Sequence, residues 1–168
     1  MPPNDLDALD VRLIQMLHEH PRAGVLELSR LAGVARATVS ARLERMESAG
    51  VITGYGPQVD VVAAGYPVHA LATLEIAQGR LDDVTELLVG LPGVLEAYAT
   101  TGTGDVVCRL AAESNEDLQK LLLELNKSDA IRRSTSVVIL SVVVAPRTVP
   151  LLMKSDRVIP HRIPGFRV

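Results

Sequence analysis

The sequence predicts an α+β fold in two parts, a helical amino-terminal domain followed by a βαββαβ, ferredoxin-like domain. Apolar residues recur at helical spacing as far as Gly50, and strand-like and helix-like segments alternate from His69 onward. The chain has 168 residues, of which 48% are hydrophobic, so it holds enough apolar side chains for one or two packed cores. Aromatic residues make up only 2%, so those cores must consist of aliphatic side chains.

Three helices are expected in the first part, at residues 7–20, 25–32 and 36–49. Asp7 can cap the first helix, and Pro21 ends it because proline disfavours helical geometry in the residue before it. Gly33 supplies the positive φ of a tight turn between the second and third helices. Gly50 stands where a glycine commonly ends a helix. Two helices joined by a glycine turn, with arginines on the second, match the helix-turn-helix pattern.

A small hairpin is expected directly after the third helix, over residues 51–59, around its glycines. It would complete a winged helix-turn-helix domain of three helices plus a hairpin. Gly65 and Pro67 indicate a linker after the hairpin. We therefore divide the chain into a helix-turn-helix domain (1–56), a linker strand or hinge (57–67), a ferredoxin-like domain (68–150) and a basic, proline-containing extension (151–168).

The second domain is predicted to alternate strands and helices. We expect strands at 69–77, 94–101, 105–112 and 134–144, and helices at 81–91 and 115–126. Ser114 can cap the second of these helices, with Asp117 in the capping-box position. The order βαββαβ predicts one sheet with both helices on the same face. Apolar residues on the other face need a partner, and a second copy of the chain, forming a homodimer, is the simplest one.

The third helix carries the main candidate binding surface. The net charge of −3 disfavours nucleic acid at first sight, but four arginines lie between Arg30 and Arg45, where Glu44 is the only acid. The polar side of the helix is small near its start, so it can enter the major groove of double-stranded DNA closely. The predicted DNA-binding residues are Arg36, Ala37, Thr38, Ser40, Arg42 and Arg45.

Different roles are expected along this helix. Arg36, Thr38 and Ser40 are predicted to face bases, whereas Arg42 and Arg45 are predicted to face phosphates. The alternative is an ordinary three-helix packing unit whose arginines are simply solvated. The pattern alone favours the DNA-binding interpretation.

The chain contains several motifs of characteristic spacing. The first part contains Leu6-Asp7-x2-Asp10-x2-Leu13-Ile14, Arg22-x6-Ser29-x2-Ala32-Gly33-Val34 and Thr38-Val39-x2-Arg42-x2-Arg45-Met46-Glu47-x2-Gly50-Val51-Ile52-x-Gly54-Tyr55. The second part contains Glu96-x-Tyr98-x2-Thr101-Gly102-x2-Asp105 and the segment 131–140. With these motifs, residues 5–150 resemble the Lrp/AsnC (leucine-responsive, feast/famine) family of transcriptional regulators. Ala35 departs from the family pattern, which usually has Ser or Thr there, and an alanine cap costs about 1 kcal/mol.

The resemblance implies a regulatory second domain that forms dimers, assembly of dimers into higher oligomers such as octamers, and a response to an amino acid or related metabolite. The residues alone favour a plain glycine-rich hairpin at 100–105, with Asp105 bonded to backbone. The resemblance instead places the effector near this loop, where glycine N–H groups can approach it and Asp105 can receive an ammonium group. The predicted effector-binding residues are Tyr98, Thr100, Thr101, Gly102, Thr103, Gly104 and Asp105.

Other classes of function are less well supported by the sequence. No catalytic grouping and no metal-ligand spacing occurs, so neither an enzyme nor a cofactor is expected, and no apolar stretch is long enough for a membrane span. We expect a cytoplasmic, nucleoid-associated regulator. Two alternatives stay open: a weakly specific chromatin-organising protein, and an amino-acid-binding regulatory subunit that does not bind DNA. The extension is expected to be flexible, or else to pack on a neighbouring subunit through Ile159, Ile163 and Phe166.

Overall fold

The structure, a computed structural model, describes residues 6–153 and contains two compact units. Of these residues, those up to Pro57 and those from Ala145 onward belong to the first unit, and Gln58–Val144 forms the second. No helix within 6–153 is both long and apolar enough to cross a membrane. The apolar residues proposed for the docking of the extension, at 159, 163 and 166, lie outside the described residues.

The first unit is built around three helices, α1 (Ala8–Glu19), α2 (Val25–Ala32) and α3 (Arg36–Ser48). Asp7 caps α1, and its side chain accepts hydrogen bonds from the backbone N–H groups of Leu9 and Asp10, as the sequence predicts. Gly33 ends α2 with φ of 69°. The three helices share one aliphatic core, made of Leu9, Leu13, Leu28, Ala32, Val39, Leu43 and Met46.

The predicted hairpin at 51–59 is wrong. No strand occurs between α3 and residue 67 in the described chain. Gly50, with φ of 68°, reverses the chain after α3, and the N–H groups of Val51 and Ile52 both donate to the carbonyl of Met46. Val51 and Ile52 pack half-buried against the helical core instead of forming a strand. The domain is therefore a helix-turn-helix unit without a formed hairpin.

The second unit has the predicted βαββαβ order. Its elements are β1 (Val68–Ile76), α4 (Leu81–Val89), β2 (Val94–Ala99), β3 (Val106–Ala112), α5 (Asn115–Asn126) and β4 (Ile131–Val138). The sheet has the order β2-β3-β1-β4, and every pairing is antiparallel. Ser114 caps α5 by accepting from the N–H of Asp117. The ferredoxin-like arrangement expected from the sequence is thus confirmed.

One face of the sheet carries both helices. Alternate residues of the central strands, including Ala72, Leu74, Cys108 and Leu110, are buried in one core with residues of α4 and α5. The opposite face is open in the single chain. Its middle row crosses all four strands at Glu96, Arg109, Leu71 and Val137.

The chain leaves the sheet earlier than predicted. β4 ends at Val138, because β1 begins at Val68 and offers no further backbone after His69 accepts from the N–H of Ile139. The β-branched run that continues to residue 144 therefore has no strand partner within the described chain. A short helix, α6 (Val149–Met153), follows and packs against α1. Residues 145–150, assigned from the sequence to the second domain, lie in the first unit.

Candidate nucleic-acid interface and effector loop

The start of α3 presents a small, polar surface. Val39, Leu43 and Met46 face the core, so the side chains between them point outward. Arg36, Ala37 and Ser40 are exposed and Thr38 is half-buried. The structure thus brings four of the six predicted DNA-binding residues together within the first turns of the helix.

The N-terminus of α3 lacks a side-chain cap. Ala35 is the N-cap residue, and no side chain accepts a hydrogen bond from the first turn. The carbonyl of Ala35 accepts from the N–H groups of Thr38 and Val39, but the hydroxyl of Thr38 does not take over the capping role. Because the first N–H groups of a helix have no intrahelical partner, this end favours an external acceptor of negative charge.

The two remaining predicted residues, Arg42 and Arg45, are held by carboxylates of α1. Nη1 of Arg42 donates to Oδ2 of Asp7 and lies 3.2 Å from both carboxylate oxygens of Asp10. Nη2 of Arg45 donates to Oδ2 of Asp10. Asp10 is fully buried, the Arg42 side chain is 21% exposed, and the Arg45 side chain is 50% exposed. We call these four residues the acid–arginine cluster.

Within the acid–arginine cluster, the pKa values of Asp7 and Arg42 are shifted. Burial alone would raise the pKa of Asp7, but the backbone N–H of Asp10 and the guanidinium of Arg42 lower it below its ordinary value. Burial would likewise lower the pKa of Arg42, and its two carboxylate partners raise it instead. Asp7 and Arg42 are therefore charged at neutral pH. The cluster pairs two carboxylates with two guanidiniums. The basic patch inferred from the sequence is accordingly weaker than a count of arginines suggests.

Sequence reasoning missed Asp7 and Asp10 as partners of α3. Their three-residue spacing was visible, and it places both carboxylates at the start of α1. Their contact with Arg42 depends on how α1 packs across α3, which a local pattern does not contain. A count of charges within a window of sequence cannot detect neutralisation by residues more than thirty positions away.

The loop between β2 and β3 is closed by its own backbone. The N–H of Thr100 donates to the carbonyl of Asp105 at 2.9 Å, and the Thr100 hydroxyl donates to the carbonyl of Gly104 at 2.9 Å. Between these ends, Thr101, Gly102 and Thr103 form an exposed tip. Gly102 has φ of 134°, which a residue with a side chain rarely adopts.

Asp105 and Gly104 fix this loop to strand β1. Oδ2 of Asp105 accepts from the N–H of Ile76 at 2.8 Å, and the N–H of Asp105 donates to the carbonyl of Leu74 at 2.9 Å. Gly104 is buried, and a Cβ there would lie 2.2 Å from Cγ2 of Thr73. Within residues 6–153, Oδ1 of Asp105 makes no recorded hydrogen bond. Asp105 is therefore both a backbone anchor and an exposed carboxylate of fixed orientation.

Tyr98 makes its side-chain hydrogen bond outside the loop. Its hydroxyl donates to Glu96, and this hydrogen bond raises the pKa of Tyr98. Glu96 also lies 2.5 Å from Nε of Arg109, on the open sheet face where edge strand β2 pairs with β3. That N–H makes no well-aligned hydrogen bond, so the contact is an ion pair by distance only. Tyr98 and Glu96 thus belong to the open face, while Thr100, Gly104 and Asp105 form the loop.

A groove of about 360 Å³ lies beside the loop, between α4 and β2. Its walls are mainly aliphatic, with Val84, Leu88, Ala97 and Ala99 among them, and Glu96 is the one charged residue that lines it. The groove offers no cation for the carboxylate of an amino acid. Its lining therefore suits an apolar group better than the carboxylate of an amino acid.

Each of the two units matches a known family of protein domains. Residues 6–47 match the AsnC-type helix-turn-helix domain, and residues 69–149 match the Lrp/AsnC ligand-binding domain. The HTH-type transcriptional regulator Rv2324 of Mycobacterium tuberculosis is 32% identical over 138 residues, which cover 81% of this chain and 93% of the relative.

Solved structures give the same result. The structure of E. coli AsnC has a TM-score of 0.80 and 26% sequence identity, and the match covers 86% of this chain and 99% of the other. A transcriptional regulator of Neisseria meningitidis in complex with L-Met has a TM-score of 0.76, with 83% of this chain and 93% of the other covered. Its identity is 21%, so this second likeness shows the fold alone.

Proposed function

Because the chain belongs to the Lrp/AsnC family of DNA-binding transcriptional regulators, we propose that it recognises specific duplex sequences through α3. We further propose that an amino acid or related metabolite controls this binding. In this proposal the protein acts on chromosomal DNA in the cytoplasm as part of the nucleoid. Regulation of transcription accounts for both units without a catalytic step.

The observation that carries the proposal is the exposed, uncapped start of α3. Arg36 has the length and the planar guanidinium to contact a guanine edge, and Thr38 and Ser40 can bond either bases or phosphates. Ala37 has no bulk that would hold the helix away from the groove. The free N–H groups after Ala35 favour a phosphate at this end of the helix.

Arg42 and Arg45 are already paired with carboxylates, which limits their contacts with DNA phosphates. Arg45 is half-exposed and donates to Asp10 through Nη2, so its other N–H groups can reach a phosphate without breaking that bond. Arg42 is more deeply covered and faces two carboxylates. Arg45 is therefore the better candidate for a phosphate contact.

Dimerisation through the open sheet face would present two copies of α3 to DNA. Leu71 is 38% exposed and Val137 58% exposed on this face of the single chain, which favours a covering partner. A twofold dimer that uses this face would read a roughly palindromic site, with half-sites about 34–36 Å apart or a multiple of that distance. Further association of dimers, up to octamers, would extend the DNA path.

The proposed effector site is the loop at 100–105. Asp105 is held by Ile76 and still exposes a carboxylate oxygen, so it can accept an ammonium group without losing its anchor. The N–H groups of the loop tip can meet the effector carboxylate. Because DNA and effector act on one protein, each must change the affinity of the other by the same factor.

Selection of duplexes from a random pool by the full-length chain tests DNA recognition. A shared, roughly palindromic sequence and a compact footprint are expected. Extended protection without a shared sequence would favour the chromatin-organising alternative, and no binding at low salt would favour a regulatory subunit that does not bind DNA. Thermal shifts against the amino acids test the effector proposal, because a ligand that prefers the folded state raises the melting temperature.

A further inference from the structure

Asp10 sits at the centre of the acid–arginine cluster with both carboxylate oxygens engaged. Besides the two arginines, its Oδ2 accepts from the N–H of Asp7 at 2.9 Å, which closes the capping box of α1. Its side chain has no exposed surface. A buried carboxylate needs partners of opposite charge, and here α3 supplies both of them.

We propose that Asp10 is a specificity-determining residue, which acts by holding Arg42 against α1 and away from DNA phosphates and by restraining Arg45 through Nη2. The inference rests on the proposed function. Asp10 does not touch DNA in this account, so it is a positioning residue. It fixes α3 about its axis and limits the positive charge that the helix presents.

Asp10 is expected to raise specificity because it changes the balance between sequence-independent and sequence-specific binding. Each phosphate neutralised by an arginine releases counterions and strengthens binding to every sequence alike. With Arg42 held away and Arg45 restrained, α3 gains less from this sequence-independent attraction, and a larger share of its affinity comes from groups at its start. Neutralising Asp10 would leave the cluster with one uncompensated positive charge and two less restrained guanidiniums.

Three substitutions separate this role from a general effect of charge. Asp10→Asn keeps an acceptor oxygen for the N–H of Asp7 but removes the charge that holds both arginines. Asp7→Asn weakens the hold on Arg42, which keeps its contacts with Asp10, and asparagine is as good an N-cap as aspartate. Glu44→Gln is the matched control, because Glu44 is exposed on α3 and makes no ion pair within residues 6–153.

The measurement is the affinity of each full-length variant for two duplexes of equal length, over a range of salt concentrations. One is a random-sequence pool and the other is the duplex selected by the wild type. For Asp10→Asn, the slope of log affinity against log salt should steepen by about 1 to 2 on random duplex, since each phosphate contact contributes about 0.9. Binding to random duplex should tighten by about tenfold near 0.1 M salt, and preference for the selected duplex should fall.

Asp7→Asn should shift the slope in the same direction by less, and Glu44→Gln should stay close to the wild type. Modification by phenylglyoxal, followed by mass spectrometry, gives a readout without DNA. Arg42 and Arg45 should react faster in Asp10→Asn, with exposed Arg36 unchanged as the internal reference. Should Asp10→Asn fail to fold, Asp7→Asn carries both measurements.

An unchanged slope in Asp10→Asn, or an equal change in Glu44→Gln, would overturn the inference while the wild type still binds its selected duplex. Parallel weakening on both duplexes at constant slope would also overturn it, since that result fits a purely structural role. A wild type that binds no duplex contradicts the proposed function itself, and the inference with it. The two failures are therefore distinguishable.

Discussion

The start of α3 and the loop at 100–105 both carry charged residues that invite a ligand, but the fold treats their charges differently. On α3, Arg42 and Arg45 are neutralised by carboxylates of α1, and Arg36 projects into solvent. In the loop, the backbone occupies one oxygen of Asp105 and leaves its charge uncompensated within the described chain. A charged residue is thus available to a ligand only to the extent that its tertiary partners leave it so.

The two regions also differ in what holds them in place. α3 is fixed by an aliphatic core and by the acid–arginine cluster. The loop is fixed at Thr100, Gly104 and Asp105, and its tip at 101–103 is exposed. We therefore expect substitutions beneath α3 to act through stability, and substitutions in the loop to act through ligand response.

The largest effect is expected from Leu13→Ala, which removes the support beneath α3. Leu13 is fully buried between the helices, and truncating such a leucine costs about 2–5 kcal/mol of unfolding free energy. Urea denaturation and duplex binding should both report the loss. Leu26→Ala on α2 is the control, because Leu26 is 42% exposed and its loss should cost less than about 0.5 kcal/mol. Equal losses in the two variants would show that α3 does not depend on this core.

Arg36→Ala should reduce discrimination between the selected and random duplexes by about 1–3 kcal/mol. The physical reason is the loss of the planar guanidinium that contacts a base edge. Arg36→Lys sharpens the test, since lysine keeps the charge but cannot bond in a bidentate way. The lysine variant should keep the salt dependence of the wild type and still lose discrimination. If it discriminated like the wild type, Arg36 would be a phosphate contact.

The sequence predicts those features of both regions that depend on residues close together in the chain. Helix starts at Asp7 and Ser114 and the helix end at Gly50 follow from chemistry within a few residues, and the structure confirms them. The hairpin at 51–59 failed because Val51 and Ile52 are apolar for packing on the helical core, not for strand pairing. Neutralisation of Arg42 could not be predicted, because it depends on the packing of distant segments.

Asp105→Asn should abolish the response of DNA binding to the effector while the fold is kept. Asparagine can still accept from the N–H of Ile76, so the anchor survives and only the charge is lost. Asp105→Ala loses both, and we expect it to cost about 1 kcal/mol more in unfolding free energy. Thermal shifts with the active amino acid measure its binding, and duplex affinity with and without it measures the response. A response retained by the asparagine variant and lost by the alanine variant would assign Asp105 a structural role only.

The smallest effect is expected in the pH dependence of stability at Asp7. Its folded pKa lies below the ordinary value because the N–H of Asp10 and the guanidinium of Arg42 outweigh burial. A depressed folded pKa contributes stability above the unfolded pKa of about 3.9, and that contribution is lost as the pH falls through the folded value. Asp7→Asn keeps the cap but cannot titrate, so the wild type should be more stable by on the order of 1 kcal/mol at pH 7. Urea denaturation from neutral pH downward should show this gap closing below about pH 4. A gap that stays constant over that range would mean that the charge of Asp7 does not stabilise the cluster, and the restraint on Arg42 would then depend on Asp10 alone.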